Sequence, residues 1–332
     1  MRQGRPRIAL ALPLTEAASA RLASDFDAVV PENPIGLDKL LELAAAHKAE
    51  GLVIWPGLIF DAATIARLPA SVRALSTVSV GFDHVDINAA NARGITVTNT
   101  PDVVTEDTAD THILLLLGAA RRAKEHVRNM DDGWSIRNGF ASGLGVQVTG
   151  KTMGIVGMGR IGRAVAQRAR GFDMPILYHN RTRLPPELEQ GARYYPKLED
   201  MLPFCQVLSL NLPGGSGALM TRETFALLPK GAVFVNSARG SLVDEDALIE
   251  ALGNGQLSSA GLDVFQREPK YDQRLNALPN TFLLPHIGSA TTETRDAVGF
   301  RALDNLLAVL NGKPAPDEVK MERGVAHGGP SG

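Results

Sequence analysis

The residue pattern with the most specific chemistry is Gly157-Met158-Gly159-Arg160-Ile161-Gly162, which follows the apolar run Met153 to Val156 and leads directly into Arg163 to Arg170. Between a strand and a helix, Gly157 permits the tight turn, Gly159 lets the backbone approach a pyrophosphate, and Gly162 lets helix and strand pack closely. The helix amino terminus, opening on Arg160 and Ile161, would add free N–H groups and partial positive charge for the phosphates. Glycine-rich turns are common, and it is the flanking strand and helix that make this one a nucleotide site. About 20 residues further on, at the end of the second strand, an Asp or Glu usually takes the ribose hydroxyls of NAD. Here the chain reads Tyr178-His179-Asn180-Arg181-Thr182, with no acid. Asn180 replaces the carboxylate that would repel a 2′-phosphate, while Arg181 and Thr182 offer a cation and a hydroxyl to hold one. The expectation is a preference for NADP (NADPH), with NAD as the alternative. The competing reading makes Arg181 and Arg183 solvated loop cations.

Three further segments occur in order: Val235-Asn236-Ser237-Ala238-Arg239-Gly240 with Val243-Asp244-Glu245; Gly261-Leu262-Asp263-Val264-Phe265 leading to Glu268-Pro269; and Pro285-His286-Ile287-Gly288-Ser289. Together they resemble the signatures of the D-isomer-specific 2-hydroxyacid dehydrogenases, and within that family the glyoxylate and hydroxypyruvate reductases. The resemblance runs from Val80-Gly81-Phe82-Asp83 to the final helix. It implies hydride transfer from NADPH to the carbonyl of a small 2-oxo acid, giving glycolate or D-glycerate. That reaction needs a cation for the carboxylate, a donor to polarise the ketone and a proton for the new alkoxide. Arg239, after a strand end, would grip carboxylate and carbonyl oxygens with its planar fork. His286 would give the proton as imidazolium and take it back when neutral. Glu268 would bond the other ring nitrogen, orient the histidine and favour its charged form.

The resemblance implies more. Val80 and Gly81 present backbone N–H groups to the substrate carboxylate, Asp263 contacts the nicotinamide amide, and Thr108 lies near the nicotinamide or phosphates. Leu212, Pro213, Ser237, Ala238 and Gly288 line the cofactor cleft with Arg239 and His286, while Trp55 and Leu58 wall the substrate pocket. The loop Asn211-Leu212-Pro213-Gly214-Gly215-Ser216 departs from the Pro-Leu-Thr usual there. The family is dimeric through the region of Trp134, which would approach the partner's active site; simple packing within the chain is the competing reading. NAD-linked phosphoglycerate, D-lactate and phosphite dehydrogenases are the alternatives of the same family. The short tail after Lys313 leaves no room for a regulatory domain, and Glu268 stands where formate dehydrogenases use glutamine. A nucleotide-sensing co-repressor without turnover is the alternative of another class, and the intact Arg, Glu and His set argues against it.

These residues must be positioned by a scaffold, and strand-like and helix-like runs alternate as in an α/β protein with parallel sheets. Strand candidates are Arg7 to Pro13, Gly51 to Trp55, Ala74 to Val78 and Ile95 to Thr98. After Gly150 come Thr152 to Val156, Pro175 to His179, Val207 to Leu212, Ala232 to Ser237, Ser259 to Phe265 and Phe282 to Pro285. The six later strands complete a dinucleotide fold. A long helix starting just after Pro101 and reaching Arg121, Arg122 and Lys124 would bridge the domains, with acids at its positive end and bases at its far end. Thr291 to Leu310 would return to the first domain, and the tail from Lys313 is expected to be loose. The predicted architecture is a Rossmann domain over 101–287 inserted into a smaller flavodoxin-like substrate domain formed by 1–100 and 288–332.

The bulk composition agrees. The 332 residues are 44% hydrophobic and 21% charged, those of a globular protein, and 34 basic against 36 acidic residues leave a net charge of −2. No global field attracts nucleic acid or an anionic membrane. Cys205 is the sole cysteine, which excludes an internal disulfide and a thiolate metal cluster and fits a reducing compartment, the cytoplasm. The basic amino terminus leads into a short apolar stretch broken by Pro13 and Glu16, a strand and not a signal peptide. Ile113 to Ala120 is far below the roughly 20 apolar residues that cross a bilayer.

Overall fold

Two parallel sheets organise the chain in a computed structural model that describes residues 4–215 and 217–320. One compact unit comprises the residues up to Val104 and those from Ala290 onward; the other is Thr105–Ser289.

In the first unit the strands are β1 Arg7–Leu10, β2 Asp27–Val29, β3 Gly51–Ile54, β4 Ala74–Thr77 and β5 Thr96–Thr98, in the order β2-β1-β3-β4-β5. This is the flavodoxin-like order. Every residue of β3 and β4 is buried, as expected where helices cover both faces. Leu52, Ile54, Phe60 and Leu75 fill one side; Ile8, Val53, Phe26 and Leu303 fill the other. Leu303 belongs to the Thr292–Leu310 helix, whose first turn is capped by the Thr291 hydroxyl accepting from the Thr294 N–H.

The second unit contains β6 Met153–Val156, β7 Ile176–His179, β8 Arg193–Tyr195, β9 Val207–Leu210, β10 Ala232–Asn236, β11 Leu257–Leu262 and β12 Thr281–Leu283. Their order is β12-β11-β10-β9-β6-β7-β8, so the sequence order reverses beside β6. Open α/β sheets bind ligands at such a switch point, beyond the strand carboxyl ends. Along β10 the side chains alternate: Phe234 joins the core with Leu208 and Phe225, whereas Val233 and Val235 join the one with Ile155, Val165 and Tyr178. Because all pairings are parallel, the loops after β6, β7, β9, β10, β11 and β12 emerge along one edge.

Several sequence expectations need correction. β2 and β8 were not foreseen. They have only three residues each, lie at sheet edges and begin with exposed charges, Asp27 and Arg193, features that blunt edge strands and weaken their apolar signal. The anticipated single bridging helix is two, Thr105–Ala120 and Ala123–Asp131. Asp102 has a φ of +73° outside the first, and Arg122 breaks the run at +57°. Both lie in the second unit, where the 105–120 helix packs against β10, β11 and the Arg160–Arg170 helix. The tail is not loose at its start, since Val319 N–H bonds to the Val97 carbonyl at 2.9 Å and Arg301 holds Asp317 with both nitrogens. Its remainder, 321–332, lies outside the described residues.

Candidate active site

His286 follows β12 by three residues and takes a φ of +56°, a left-handed conformation uncommon for a residue other than glycine. Asp263, directly after β11, holds it there. Its two carboxylate oxygens accept the N–H groups of Ile287 and Gly288, each at 2.8 Å. The Asp263 residue is 1% exposed. Burial pushes its pKa up while the two N–H groups pull it down, leaving it raised. This side chain, which the resemblance places at the nicotinamide amide, fixes the histidine loop.

Glu268, on the loop after β11, divides its oxygens. Oε1 accepts from the Phe265 N–H at 2.9 Å and Oε2 lies 2.7 Å from His286 Nδ1. Burial acts upward on this carboxyl, but the bonds to His286 and Phe265 outweigh it and the pKa is lowered. An ionised carboxylate only accepts, so Nδ1 carries the hydrogen and Nε2 is left for proton transfer. The bond to Glu268 in turn raises the His286 pKa above its ordinary value, against desolvation.

Arg239 is placed by two neighbours. Buried Asn236 ends β10 and folds over the next turn: Oδ1 accepts from Ala238 N–H at 2.9 Å and Nδ2 donates to the Arg239 carbonyl at 3.0 Å. Gly240 then runs so close to the next loop that a Cβ would sit 1.9 Å from the Phe265 carbonyl carbon. Only glycine lets the Arg239 turn approach the segment carrying Glu268. Arg239 Nη1 donates to the Ala238 carbonyl at 2.7 Å, and its charge lowers the pKa values of both Glu268 and His286. The three side chains singled out by chemistry are therefore brought together from three strand ends.

The glycine loop after β6 has the open backbone and tight turn that a dinucleotide requires. Gly157 has a φ of +92° and a Cβ on it would lie 2.7 Å from the Asn211 carbonyl, while one on Gly162 would lie 2.2 Å from the Gly157 oxygen. A Cβ on Gly159 would meet nothing within 4 Å, so the open backbone suits a pyrophosphate. The 160–170 helix starts there without a side-chain cap, with Arg160 exposed and Ile161 packed against the core. Asn180 accepts the Met158 N–H at 2.7 Å, which ties the end of β7 to this loop. Arg181 and Thr182 are exposed. Arg183 is committed elsewhere, to both oxygens of Glu189 at 2.8 and 3.1 Å; Arg183 and the Tyr178 hydroxyl hold that carboxyl down at about 2.

Of the remaining expected contacts, Leu212 and Ala238 pack partly into the core and Pro213 is exposed, while Ser237 is partly exposed. Ser216 of the same loop lies outside the described residues. Thr108 is buried beside Gly288. In the first unit, Asn99 Nδ2 donates to the Val80 carbonyl at 2.8 Å and the Ser79 hydroxyl donates to the Gly81 carbonyl at 2.6 Å. Both carbonyls are thereby engaged, and the loop is braced by Thr77 Oγ1, 3.0 Å from His84 Nε2. Trp55 covers Gly57, and Leu58 is buried.

Residues 113–288 match the family model of the D-isomer specific 2-hydroxyacid dehydrogenase NAD binding domain. The chain belongs to the D-isomer-specific 2-hydroxyacid dehydrogenase family. It is 38% identical over 316 residues to a glycerate dehydrogenase of Hyphomicrobium methylovorum, covering 92% of this chain and 96% of the relative. A glyoxylate/hydroxypyruvate reductase B of Klebsiella pneumoniae is 41% identical over 312 residues, with 93% and 96% covered. A crystal structure of an NADPH-dependent glyoxylate/hydroxypyruvate reductase from Sinorhizobium meliloti, in complex with NADP and malonate, superposes with a TM-score of 0.83 at 35% identity, covering 95% of this chain and 97% of that one. What the sequence did not reveal is the support for Arg239, Glu268 and His286. Asn236 and Gly240 lie inside the 235–240 segment that carries Arg239. Nothing in their spacing shows that one braces a turn and the other permits a close approach.

Proposed function

We propose that this dehydrogenase reduces small 2-oxo acids, glyoxylate and hydroxypyruvate, with NADPH as the preferred cofactor. The observation that carries the reading is the Glu268–His286 pair with Arg239 beside it, on the sheet edge that also carries the glycine loop. When bound, the dinucleotide supplies the hydride in reduction. Arg239 binds the substrate carboxylate and polarises the ketone. His286 holds a proton at Nε2 and gives it to the carbonyl oxygen as negative charge develops there; the reverse reaction returns it to the neutral ring. Glu268 keeps the ring oriented and the imidazolium populated. The 160–170 helix terminus and the backbone at Gly159 would hold the pyrophosphate.

The cofactor preference rests on Asn180, Arg181 and Thr182. Asn180 is neutral, Arg183 is withdrawn by Glu189, and Arg181 with Thr182 is exposed beside the loop. The Sinorhizobium meliloti reductase of similar fold is NADPH-dependent, which supports the same reading. Comparing kcat/KM for a panel of 2-oxo acids with NADPH and NADH tests both halves: equal or higher values with NADH overturn the preference, and no turnover of either named acid overturns the substrate.

The reading includes a homodimer in the cytoplasm. Val127, Met130, Trp134, Ile136, Phe140 and Leu144 are exposed apolar side chains close together in sequence, Trp134 at 64%, and a second copy covering them would bury a surface of the aromatic and apolar kind enriched at interface cores. A monomer mass by light scattering at micromolar concentration would remove this element. Burial pushes the Cys205 thiol up to about 12, in keeping with an inert reduced cysteine. Among the described residues, no helix is long and apolar enough to cross a membrane.

A further inference from the structure

A second histidine, which the reaction does not use, lies out of solvent in the same unit. His112, in the 105–120 helix, is 0% exposed and stands between two serines, with Nδ1 2.7 Å from Ser237 Oγ and Nε2 2.8 Å from Ser209 Oγ. Ser209 Oγ also accepts from Asn211 Nδ2 at 2.7 Å. A continuous polar line therefore joins the loop after β9 to the loop after β10, through a residue of a helix that belongs to neither. Burial pushes the His112 pKa down to about 3, so the ring is neutral, with one N–H and one lone pair.

That leaves two directions for the line. With the hydrogen on Nε2, Ser209 Oγ would accept from both His112 and Asn211, and its own hydrogen, in a fully buried residue, would need an acceptor that this line does not supply. With the hydrogen on Nδ1, Asn211 donates to Ser209, Ser209 to Nε2, and Nδ1 to Ser237, so each buried hydrogen in the line is used. Turning the Asn211 amide over would allow the first direction, but it would bury the amide N–H groups where Asn211 Oδ1 now lies without a partner. An unpaired buried N–H is the rarer fault, since a carbonyl tolerates under-satisfaction better. In the favoured direction the Ser237 oxygen is occupied by His112, and its hydrogen must point elsewhere. Ser237 is partly exposed and lies two residues before Arg239.

We infer that His112 is a positioning residue: as a fixed neutral tautomer it turns the Ser237 hydroxyl into a hydrogen-bond donor for the bound dinucleotide. This rests on the reading that the loops after β9 and β10 line the cofactor cleft. The line couples two such loops, so that Asn211, beside Gly157, and Ser237, beside Arg239, are set by one internal group rather than by solvent.

The test is a thermodynamic cycle on cofactor affinity, read as Kd from NADPH and NADH fluorescence titrations of the full chain, with Tm recorded for every variant. Ser237→Ala and His112→Leu should each weaken the tighter dinucleotide about tenfold, the effect of one lost hydrogen bond. The double variant should be no weaker than Ser237→Ala alone, because His112 acts through Ser237. His112→Asn, whose amide can place a donor near the Nδ1 position, should recover most of the loss. Should His112→Leu not fold, His112→Gln, which keeps a polar group near Ser209 but not near Ser237, takes its place in the cycle. Additive losses in the double variant, a lower Tm with unchanged Kd, or no recovery with His112→Asn would each overturn the inference. If the unaltered chain bound neither dinucleotide, the cleft reading itself would fail, an outcome distinct from any pattern among the variants.

Discussion

His286 and His112 are the same side chain under opposite conditions. The His286 side chain is 49% exposed, carries an ionised partner on Nδ1 and is pushed toward its charged form; His112 is sealed between two hydroxyls and pushed toward its neutral form. The first can change protonation during a reaction, whereas the second cannot do so near neutral pH and can only fix the direction of hydrogen bonds. Partner charge and burial, not residue type, separate an acid–base group from a scaffold group.

The contrast breaks most clearly by removing the exposed ring. His286→Ala should lower kcat on the order of 1,000-fold, the scale of a positioned acid–base group, with little change in Tm; near-normal turnover in a folded variant would refute its role. Arg239→Lys should lower kcat/KM on the order of 100-fold, because an ammonium cannot reproduce the planar fork, and a loss confined to severalfold would demote Arg239 to a general cation. Glu268→Gln should cost about tenfold in reduction and shift the pH profile. Reduction needs the imidazolium, so its rate falls as pH rises through the His286 pKa. Without the carboxylate that raises this pKa, the fall should come at lower pH, and an unmoved profile would show that Glu268 does not tune the ring.

The smallest effects separate the two rings by stability. For His112, unfolding restores an ordinary pKa near 6.5 from about 3, so the unfolded chain binds the extra proton between these values. Stability is lost as pH falls through that window, on the order of 2 kcal/mol by pH 5. Denaturant melts of His112→Asn at pH 5 and 8 should show a smaller difference than the parent; an equal difference would mean the ring is not held neutral. His286 has the opposite sign. Its raised pKa gives stability that is present below about 6.5 and lost as pH rises through the folded value, a contribution discounted by solvent because the ring is half exposed. His286→Ala should therefore lower stability slightly on the acid side of the melt series and leave the alkaline side unchanged.

The legible parts of the molecule were those governed by local rules. β3, β4, β6 and β10 are apolar runs bounded by breakers, and each stands within a residue or two of its expected place. The glycine hexad was readable because three glycines at fixed spacing answer three separate steric needs, and the structure gives each its own environment. β2 and β8 were not readable, being too short and polar to carry a periodic signal. The break at Arg122 was missed because charges suited to a helix end suit equally the start of the next helix.

The sequence by itself determined the chemistry available: a guanidinium, a carboxylate and an imidazole in strand-end motifs, with a glycine loop in front of a helix. Their use was decided only by the tertiary structure. Asp263 became a clamp on the His286 loop because two N–H groups 24 and 25 residues away reach it. Gly240 became indispensable because another strand's loop passes where its side chain would be. His112 met Ser209 and Ser237, 97 and 125 residues distant. Periodicity and spacing report on neighbours along the chain, whereas hydrogen-bond partners, burial and hence pKa depend on which distant segments the sheet order places side by side.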